Sequence, residues 1–350
     1  MQEALYGSCG FYARGERPAA HFRTSVHASP RYAAAMLALL REVDVLLGGP
    51  ARLDVVDVGA GRAELLTSLL AMARHVPAHP TDPANPSFPQ RIQAHAVEVT
   101  PRPAELDPRI GWHQSMPSQI TGLVIANEWL DNIPLDVAEL AGDGPRIVLV
   151  DTATGAERPG PLAGAADQAW LRQWWPLRRI GDHAEIGRPR CAAWADVIGR
   201  LDRGVAVGAD YGHVRAARPA LGTLAGYQDG RLARPIPDGS RDITAHVAID
   251  ACAAAGAAAG GAQTVLTTQR QALRALGLRG RRPPLTLAST DPGGYLAALR
   301  RASDEAELTD PAGLGGFSWL LQSVGMPLPT CLGPLIADQQ AAPMEHRVHG

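Results

Sequence analysis

Hydrophobic residues along this chain follow two alternating patterns, short continuous runs and stretches with helical spacing. The β-branched run "RLDVVDV" (52–58) predicts a strand buried on both faces, and "AELLTSLLAMARH" (63–75) predicts the helix that follows it. Further strands are predicted at "IQAHAVEV", "RIGWH", "GLVIANE", "GVAVGADYG", "AQTVLTTQ" and "GGFSWLLQSVG", and further helices at "RYAAAMLALLREVDVLL", "AIDACAAAGAAAG" and "RQALRALG". This alternation predicts an α/β fold with a mostly parallel sheet that is covered on both faces.

The middle of the chain interrupts this alternation. "LDVAELAGDGPRIVLVD" (135–151) predicts a β-hairpin around a Gly-Asp-Gly turn. Residues 151–200 show no clear period and are rich in tryptophan, which we interpret as an inserted cap, and residues 222–247 are predicted to be loop-rich. The predicted domains are an N-terminal lid segment and helix (1–50), a core (51–134 and 201–330), an inserted hairpin and cap (135–200) and a flexible tail (331–350).

The amino-acid composition argues against certain partners and against lysine-dependent chemistry. The net charge is -2, with 33 basic and 35 acidic residues, so no broad basic field is present to attract nucleic acid. The four cysteines form no CxxC pair, no run of eighteen apolar residues exists, and the first residues lack the layout of a secretory signal. We therefore expect a soluble, cytoplasmic protein without a nucleic-acid or membrane partner. All basic residues are arginine, which excludes lysine Schiff-base chemistry and the lysine of a P-loop.

The glycine loop in "VVDVGAGRAELL" (55–66) resembles a dinucleotide fingerprint, but Glu64 stands where the third glycine belongs. A carboxylate there would repel a pyrophosphate. The remaining pattern fits S-adenosylmethionine (SAM), whose sulfonium and ammonium are positive. Gly59 and Gly61 would let the backbone approach it, Asp57 would orient its ammonium, and Glu98 would accept both ribose hydroxyls. A nicotinamide or flavin, or a turn without any ligand, remain as alternatives.

Polar residues end the fourth predicted strand abruptly in "VIANEWLDNIP" (124–134). Ligands of doubly wound sheets lie beyond the carboxyl ends of the strands, so Asn127 would face the transferred methyl group. Glu128 and Asp131 could bind a guanidinium or accept a proton from an amine or hydroxyl. Alternatively, both carboxylates only cap the next helix or bond within the turn.

Other polar clusters carry weaker signals. "HFRTSVHAS" (21–29), with Thr24 and Ser25, could fold over the cofactor as a lid or could simply cap a helix. Asp210, Tyr211 and His213 follow a predicted strand, and His246 is a candidate base that could equally be structural. His75 and His79 are four residues apart, but Pro77 lies between them, so no metal site is expected.

Together these motifs resemble the MidA-like (DUF185) family of SAM-dependent methyltransferases, which includes a mitochondrial protein-arginine methyltransferase required for assembly of respiratory complex I. The motifs that carry the resemblance are "GFY", "HFRTSVHASPRY", "VVDVGAGRAELL", "VIANEWLDNIP", "GADYG", "GTLAGY", "DITAHV" and "TTQRQALRALG", in this order. The resemblance implies a class I methyltransferase fold, a Rossmann-like seven-stranded sheet with an inserted cap. It also implies that SAM is the cofactor.

By position, the resemblance implies a cofactor loop at Gly59 and Gly61, a ribose acid at Glu98, and a fourth-strand motif at Asn127, Glu128 and Asp131. We also assign Thr24 and Ser25, Asp57, and Ser115 and Met116 after the third strand to the cofactor site. Asn127, Glu128 and Asp131 are the predicted catalytic residues.

Two positions depart from the family pattern, and the second of them bears on substrate or cofactor contacts of the N-terminal segment. Ala63 stands where the family loop usually has glycine, and Ala20 and His21 replace the glycine and aspartate of its Gly-Asp-Phe motif. The resemblance implies methylation of an arginine nitrogen on a protein. The alternatives are N- or O-methylation of a small metabolite, and a catalytically silent assembly factor. Whether the chain forms a homodimer is left open.

Overall fold

In the computed structural model, the described residues are 1–12, 24–76, 86–228, 230–261 and 263–335. The strands are β1 (Leu53–Val58), β2 (Ile92–Val97), β3 (Ile110–His113), β4 (Ile120–Asn127), β5 (Val137–Ala141), β6 (Gly144–Val150), β7 (Glu157–Leu162), β8 (His183–Glu185), β9 (Leu201–Asp210), β10 (Gly212–His213), β11 (Ala225–Gln228), β12 (Arg231–Ala233), β13 (Asp242–Thr244), β14 (Val247–Ala248), β15 (Gln263–Thr268) and β16 (Ser318–Val324). The helices are α1 (Gln2–Tyr6), α2 (Ser25–Ala28), α3 (Pro30–Leu46), α4 (Glu64–Ala73), α5 (Phe88–Arg91), α6 (Ala165–Trp174), α7 (Arg188–Gly199), α8 (Ile249–Ala258), α9 (Gln269–Ala275), α10 (Thr286–Thr290) and α11 (Pro292–Leu308).

The chain divides into two compact units. The larger unit contains residues 24–127, 197–209 and 260–350, and the smaller unit contains residues 1–23, 128–196 and 210–259. These boundaries differ from the predicted ones, because the smaller unit also takes up the N-terminal residues and the segment that follows β9.

A seven-stranded sheet forms the centre of the larger unit, in the order β15-β16-β9-β4-β1-β2-β3. β1, β2, β3, β4 and β9 pair in parallel, whereas β15 and β16 pair antiparallel. The expected α/β fold with a mostly parallel sheet is thus confirmed. All six residues of β1 are buried, as its continuous apolar run predicts.

One face of this sheet is covered by helices from several parts of the chain. Val55 of β1 and Trp319 of β16 share a buried apolar cluster with Leu40 of α3, Leu66 of α4 and Leu273 of α9. α3 begins at Pro30, where the Ser29 side chain accepts the backbone N–H of Arg31. The sheet is therefore a rigid support for the loops that leave the carboxyl ends of its strands.

The smaller unit contains three short sheets. The predicted hairpin is confirmed as the antiparallel pair β5 and β6, which lies in a four-stranded sheet of order β7-β6-β5-β8. The region expected to be a cap without clear periodicity contains β7, α6, β8 and α7. The region expected to be loop-rich instead holds the three-stranded sheet β12-β11-β13. These strands have only three or four residues, too few to show a period of two in the sequence.

The predicted tail is only partly described, because residues 336–350 lie outside the described residues. Within the described ranges, no helix is both long enough and apolar enough to cross a bilayer.

Candidate functional site

The loop between β1 and α4 has an unusual backbone. Gly59, Gly61 and Ala63 all have positive φ angles, of 72°, 57° and 62°. The backbone N–H groups of Gly59 and Ala60 donate to the carbonyl oxygen of Val97, at 3.0 and 3.3 Å. The loop is therefore fastened to the end of β2. Positive φ is easily adopted by glycine, whereas at Ala63 it costs about 1–2 kcal/mol.

Glu98, the first residue after β2, holds the same loop through its carboxylate. Its Oε2 accepts the N–H of Gly61 at 3.0 Å, and its Oε1 accepts the N–H of Thr100 at 3.1 Å. Val58 and Val97 are paired in the sheet, so β1 and β2 end at the same edge. The sheet thus places Glu98 directly beside the glycine loop, with a partly exposed carboxylate that could accept hydroxyl groups.

Two further carboxyl groups surround this loop. Asp57 is buried, and burial together with the charges of Glu64 and Glu98 raises its pKa to about 8. Burial opposes ionisation of Glu64 as well, but its hydrogen bond with His27 lowers its pKa overall. A ligand with positive charge near Asp57 would favour the ionised form of that carboxyl. This group of acids fits a cationic ligand and disfavours a pyrophosphate.

The remaining predicted cofactor residues lie in different settings. Thr24 caps α2, and its hydroxyl lies 2.7 Å from Nδ1 of His27. Ser25 is fully buried, and its hydroxyl forms a hydrogen bond with Gln269. Ser115 is exposed and Met116 half-buried in the connection between β3 and β4. The assignment of these four residues to the cofactor stays a prediction. Of the segment predicted to form a lid (21–29), residues 21–23 lie outside the described residues, and the lid role stays a prediction.

Asn127 ends β4 opposite Ala209 of β9, and the next residue, Glu128, has a φ angle of 52°. A residue other than glycine rarely adopts this conformation, which costs about 1–3 kcal/mol and is concentrated at functional sites. Asn132 donates a hydrogen bond from its side-chain amide to the carbonyl oxygen of Glu128 at 3.1 Å. This contact within the turn fixes the backbone that carries the strained residue.

Asp131 and Asp210 form a buried acidic pair within the smaller unit. The N–H of Asp131 donates to Oδ2 of Asp210 at 3.1 Å, and the hydroxyl of Thr244 donates to Oδ2 of Asp131 at 2.8 Å. Oδ1 of each aspartate has no hydrogen-bond partner among the described residues. Burial raises the pKa of both carboxyls, and the charge of Asp131 raises that of Asp210 further.

Arg190 of α7 holds this region together from a fully buried position. Its guanidinium donates to the carbonyl oxygens of Asp131 and Ile133, and to those of Ala245 and His246. It thereby joins the turn after β4 to the turn after β13. Sequence reasoning missed Arg190, because nothing in the sequence distinguishes it from the other arginines. It also left Thr244 out of the predicted site, although Thr244 lies in the "DITAHV" motif.

Aromatic residues of the first segment reach the same turn. Tyr6 donates to the carbonyl oxygen of Asn132 at 3.1 Å, and Tyr12 donates to its Oδ1 at 3.0 Å. The two tyrosine rings stack with centroids 5.3 Å apart. The "GFY" motif, which ends at Tyr12, contributed to the family resemblance, but no contact was predicted from it.

His213 and His246 of the smaller unit are poor candidates for a cationic acid. Burial, Arg218 and His246 lower the pKa of His213 to about 3. Burial also lowers the pKa of His246, whose ring stacks on Tyr211 with centroids 5.7 Å apart. Within the described residues, no group of three or more histidine, cysteine, aspartate or glutamate residues could hold a metal ion.

Comparison with solved structures supports the fold. A protein from Burkholderia thailandensis, described as a "likely methyl transferase" and bound to S-adenosylhomocysteine, superposes with a TM-score of 0.74 at 23% identity. The match covers 95% of this chain and 88% of that one. A second crystal structure, of an uncharacterized protein from the same organism, gives a TM-score of 0.73 at 24% identity, over 93% and 86% of the two chains. A search of curated proteins finds no match.

The family follows from the sequence itself. Residues 36–268, well over half of the chain, match the model of a family described as "Putative S-adenosyl-L-methionine-dependent methyltransferase". The match includes the glycine loop, Glu98, the turn after β4 and the segment around Thr244. The chain therefore belongs to this family, and it is a methyltransferase that uses S-adenosyl-L-methionine.

Proposed function

We propose that this methyltransferase transfers the methyl group to a nitrogen of an arginine side chain on a protein partner. The resemblance to the MidA-like family motivates this acceptor, and the observation that carries it is the buried pair Asp131 and Asp210. Each has a carboxyl oxygen without a hydrogen-bond donor among the described residues. A guanidinium offers five N–H donors in a planar arrangement that matches carboxylates.

The larger unit supplies the cofactor site in this proposal. Gly59 and Gly61 have no side chain that would keep a ligand from the loop, Glu98 accepts the ribose hydroxyls, and Asp57 binds the ammonium group. When bound, the cofactor supplies an electrophilic methyl group on its sulfonium. The acids around the loop match the positive charge of that cofactor.

In this proposal, the turn after β4 accepts the proton that the acceptor nitrogen releases. N-methylation of a guanidinium releases one proton, and a carboxyl with a raised pKa accepts it more readily than an exposed carboxyl does. Asp131 has such a raised pKa. Glu128, held at positive φ, orients the acceptor nitrogen. Methyl transfer itself mainly requires that the nitrogen lie about 3 Å from the methyl carbon, in line with the sulfur.

Labelled SAM tests the acceptor class. Cell lysate is incubated with the enzyme and SAM labelled in the methyl group, and the protein fraction is then hydrolysed and analysed for methylarginine. We expect label in methylarginine, and a subunit of respiratory complex I is the first purified protein to test. Label that enters small molecules alone would contradict the proposal and favour a metabolite as acceptor.

Substitution of Glu128 tests whether the turn after β4 binds the acceptor guanidinium. Glu128→Gln should reduce the transfer of label at least about tenfold, because the amide cannot hold the guanidinium with a charged hydrogen bond. Glu157→Gln, at an exposed position on β7, is the matched control and should keep wild-type activity. Full activity of Glu128→Gln would remove Glu128 from the site.

A further inference from the structure

The segment between β15 and β16 lies outside the family match, which ends at residue 268. Its central part, residues 279–301, is here named the basic arm. The arm contains five arginines and one aspartate, a net charge of +4, whereas the whole chain has a net charge of -2. This concentration of positive charge belongs to neither the cofactor loop nor the turn after β4.

The arm is anchored at one end. In the second half of α11, Ala302, Glu305 and Leu308 are buried. Glu305 accepts the backbone N–H groups of Arg279 and Gly280, both at 3.0 Å, and pairs with Arg31 at 3.0 Å. The acidic second half of α11 therefore fixes the helix to the larger unit. The first half of α11 contains no buried residue.

The exposed residues in that first half lie on a single helical face. Gly293, Leu296, Ala297, Arg300 and Arg301 are exposed, and they follow the spacing i, i+3, i+4, i+7, i+8. The side chain of Leu296 is 56% exposed on this face. The face thus combines an exposed leucine with two arginines.

The loop that precedes α10 carries the other arginines of the arm. A Cβ placed on Gly280 would lie 3.3 Å from the backbone nitrogen of Ala306, so this loop packs against α11. Arg281 and Arg282 follow at once along the chain and are exposed. Leu285, three residues further on, is 78% exposed. Among the described residues, none of the five arginines of the arm forms an ion pair: Arg279, Arg281, Arg282, Arg300 and Arg301.

We propose that the basic arm binds the surface of a membrane that contains anionic lipids. Unpaired guanidinium groups attract lipid phosphates, each contributing to a surface affinity that falls with salt. Exposed leucines beside such arginines are typical of segments that lie in the headgroup region. This binding requires no helix that crosses the bilayer, so it is compatible with the lack of an apolar span among the described residues. It departs from the expectation that the chain has no membrane partner, which was based on the absence of a long apolar run.

The leucines favour a lipid surface over the other polyanions. A nucleic-acid interface of this size would present aromatic side chains to stack on bases, or polar side chains to reach base edges. Tyr295 is the one aromatic residue of the arm, and it is half-buried. Leu285 and Leu296 gain from entering an apolar boundary, which nucleic acid does not offer.

Vesicle sedimentation tests the proposal with the full-length protein. Vesicles of phosphatidylcholine with 30% phosphatidylglycerol (about this share gives a strongly anionic surface) are compared with vesicles of phosphatidylcholine alone. We expect binding to the anionic vesicles only, reduced by added salt. The variant R281Q/R282Q/R300Q/R301Q should bind at least about tenfold more weakly. L285S/L296S should also bind more weakly, although its charge is unchanged.

The matched control removes four arginines elsewhere. R158Q/R172Q/R178Q/R179Q changes the net charge equally at exposed positions of the smaller unit, and it should bind as wild type does. Equal losses in both four-arginine variants would overturn the proposal, as would wild-type binding that ignores lipid charge. Tighter binding to duplex DNA or polyglutamate than to vesicles would also overturn it. SAM binding by each variant, measured by calorimetry, verifies that the variant is folded.

Discussion

Glu98 is a predicted cofactor residue that the structure places directly beside the glycine loop. Its carboxylate already accepts the N–H of Gly61, at the edge of the sheet where β1 and β2 end. The sequence suggested this acid from its place after a strand, although the proline-rich segment before β2 lengthens the spacing from the glycine loop. The residue was predictable because parallel strands bring their carboxyl ends together, however long the connection.

Replacement of Glu98 should weaken cofactor binding. Glu98→Ala removes a charged acceptor of hydrogen bonds, which typically contributes about 1.5–3 kcal/mol. Calorimetry with SAM should therefore show a dissociation constant at least about tenfold higher. Glu105→Ala removes an exposed carboxylate further along the same connection between β2 and β3 and should leave binding unchanged. Equal affinity of Glu98→Ala and wild type would exclude Glu98 from the cofactor site.

Arg190 illustrates what residue-level reasoning from the sequence could not find. Its importance lies in its burial and in the carbonyl oxygens that it binds, and both depend on tertiary structure. Burial was also not visible in the sequence at Ser25. The structure places its hydroxyl against Gln269 in the core, and its assignment to the cofactor site stays a prediction. A motif records which residues occur together and does not record which of them are buried.

Loss of Arg190 should destabilise the protein strongly. Arg190→Met leaves the carbonyl oxygens of Asp131 and Ala245 without this donor and removes positive charge from beside two buried aspartates. Breaking such a buried network costs about 3–5 kcal/mol, measurable by urea unfolding. Arg188→Met, on the same helix, breaks only the exposed pair with Asp167 and should cost less than about 1 kcal/mol. Similar losses in both variants would refute the role of Arg190.

Among the strands and helices, the long and fully buried ones could be predicted from the sequence, and the short ones could not. β1, β4 and β9 were predicted because continuous apolar runs are needed where both faces of a strand are covered. β11, β12 and β13 were not, since each has at most four residues. α11 was not predicted from the sequence. Only Ala302, Glu305 and Leu308 of this helix are buried, so it shows no continuous apolar face.

The close pairing of β4 with β1 requires a glycine at position 122. Gly122 of β4 has a φ of 150°, and a Cβ there would lie 2.0 Å from the carbonyl oxygen of Asp54. Gly122→Ala should therefore cost about 3 kcal/mol or more in the free energy of unfolding, because backbone atoms must move. Gly142→Ala, where a Cβ would meet nothing within 4 Å, should change it by less than about 1 kcal/mol. Urea denaturation of both variants measures the difference, and a fully stable Gly122→Ala would contradict the close approach.

At the scale of the whole molecule, the sequence predicted an inserted region but not its full extent. The smaller unit draws on three separated parts of the chain, including the first residues. The tyrosines of that first segment contact Asn132, a partner some 120 residues away. Contacts between positions so distant along the chain leave no periodic signal, so sequence patterns could not reveal them.

Buried acids give the molecule an unusual dependence on pH. Burial raises the pKa of Asp57 to about 8 and that of Asp242 to about 7, whereas a free aspartate has a pKa of about 3.9. Between these values the folded state holds protons that the unfolded chain releases, so the free energy of unfolding falls as the pH rises. Histidines with lowered pKa, such as His213, act in the opposite sense. Between pH 6.5 and 8 each such histidine adds back only about 0.4 kcal/mol, because the unfolded imidazole is already half deprotonated at pH 6.5.

Between pH 6.5 and 8 the buried acids therefore dominate the pH dependence of the free energy of unfolding. Without cofactor, the free energy of unfolding should fall by about 1–3 kcal/mol across this window, since one such group contributes up to about 1.4 kcal/mol per pH unit. Asp57→Asn cannot ionise, so its fall should be smaller by about 1–2 kcal/mol. Asp202→Asn, at an exposed position of β9, should keep the wild-type fall. Urea unfolding at both pH values measures all three, and an equal fall in Asp57→Asn and wild type would show that Asp57 is ionised in the folded protein throughout the window.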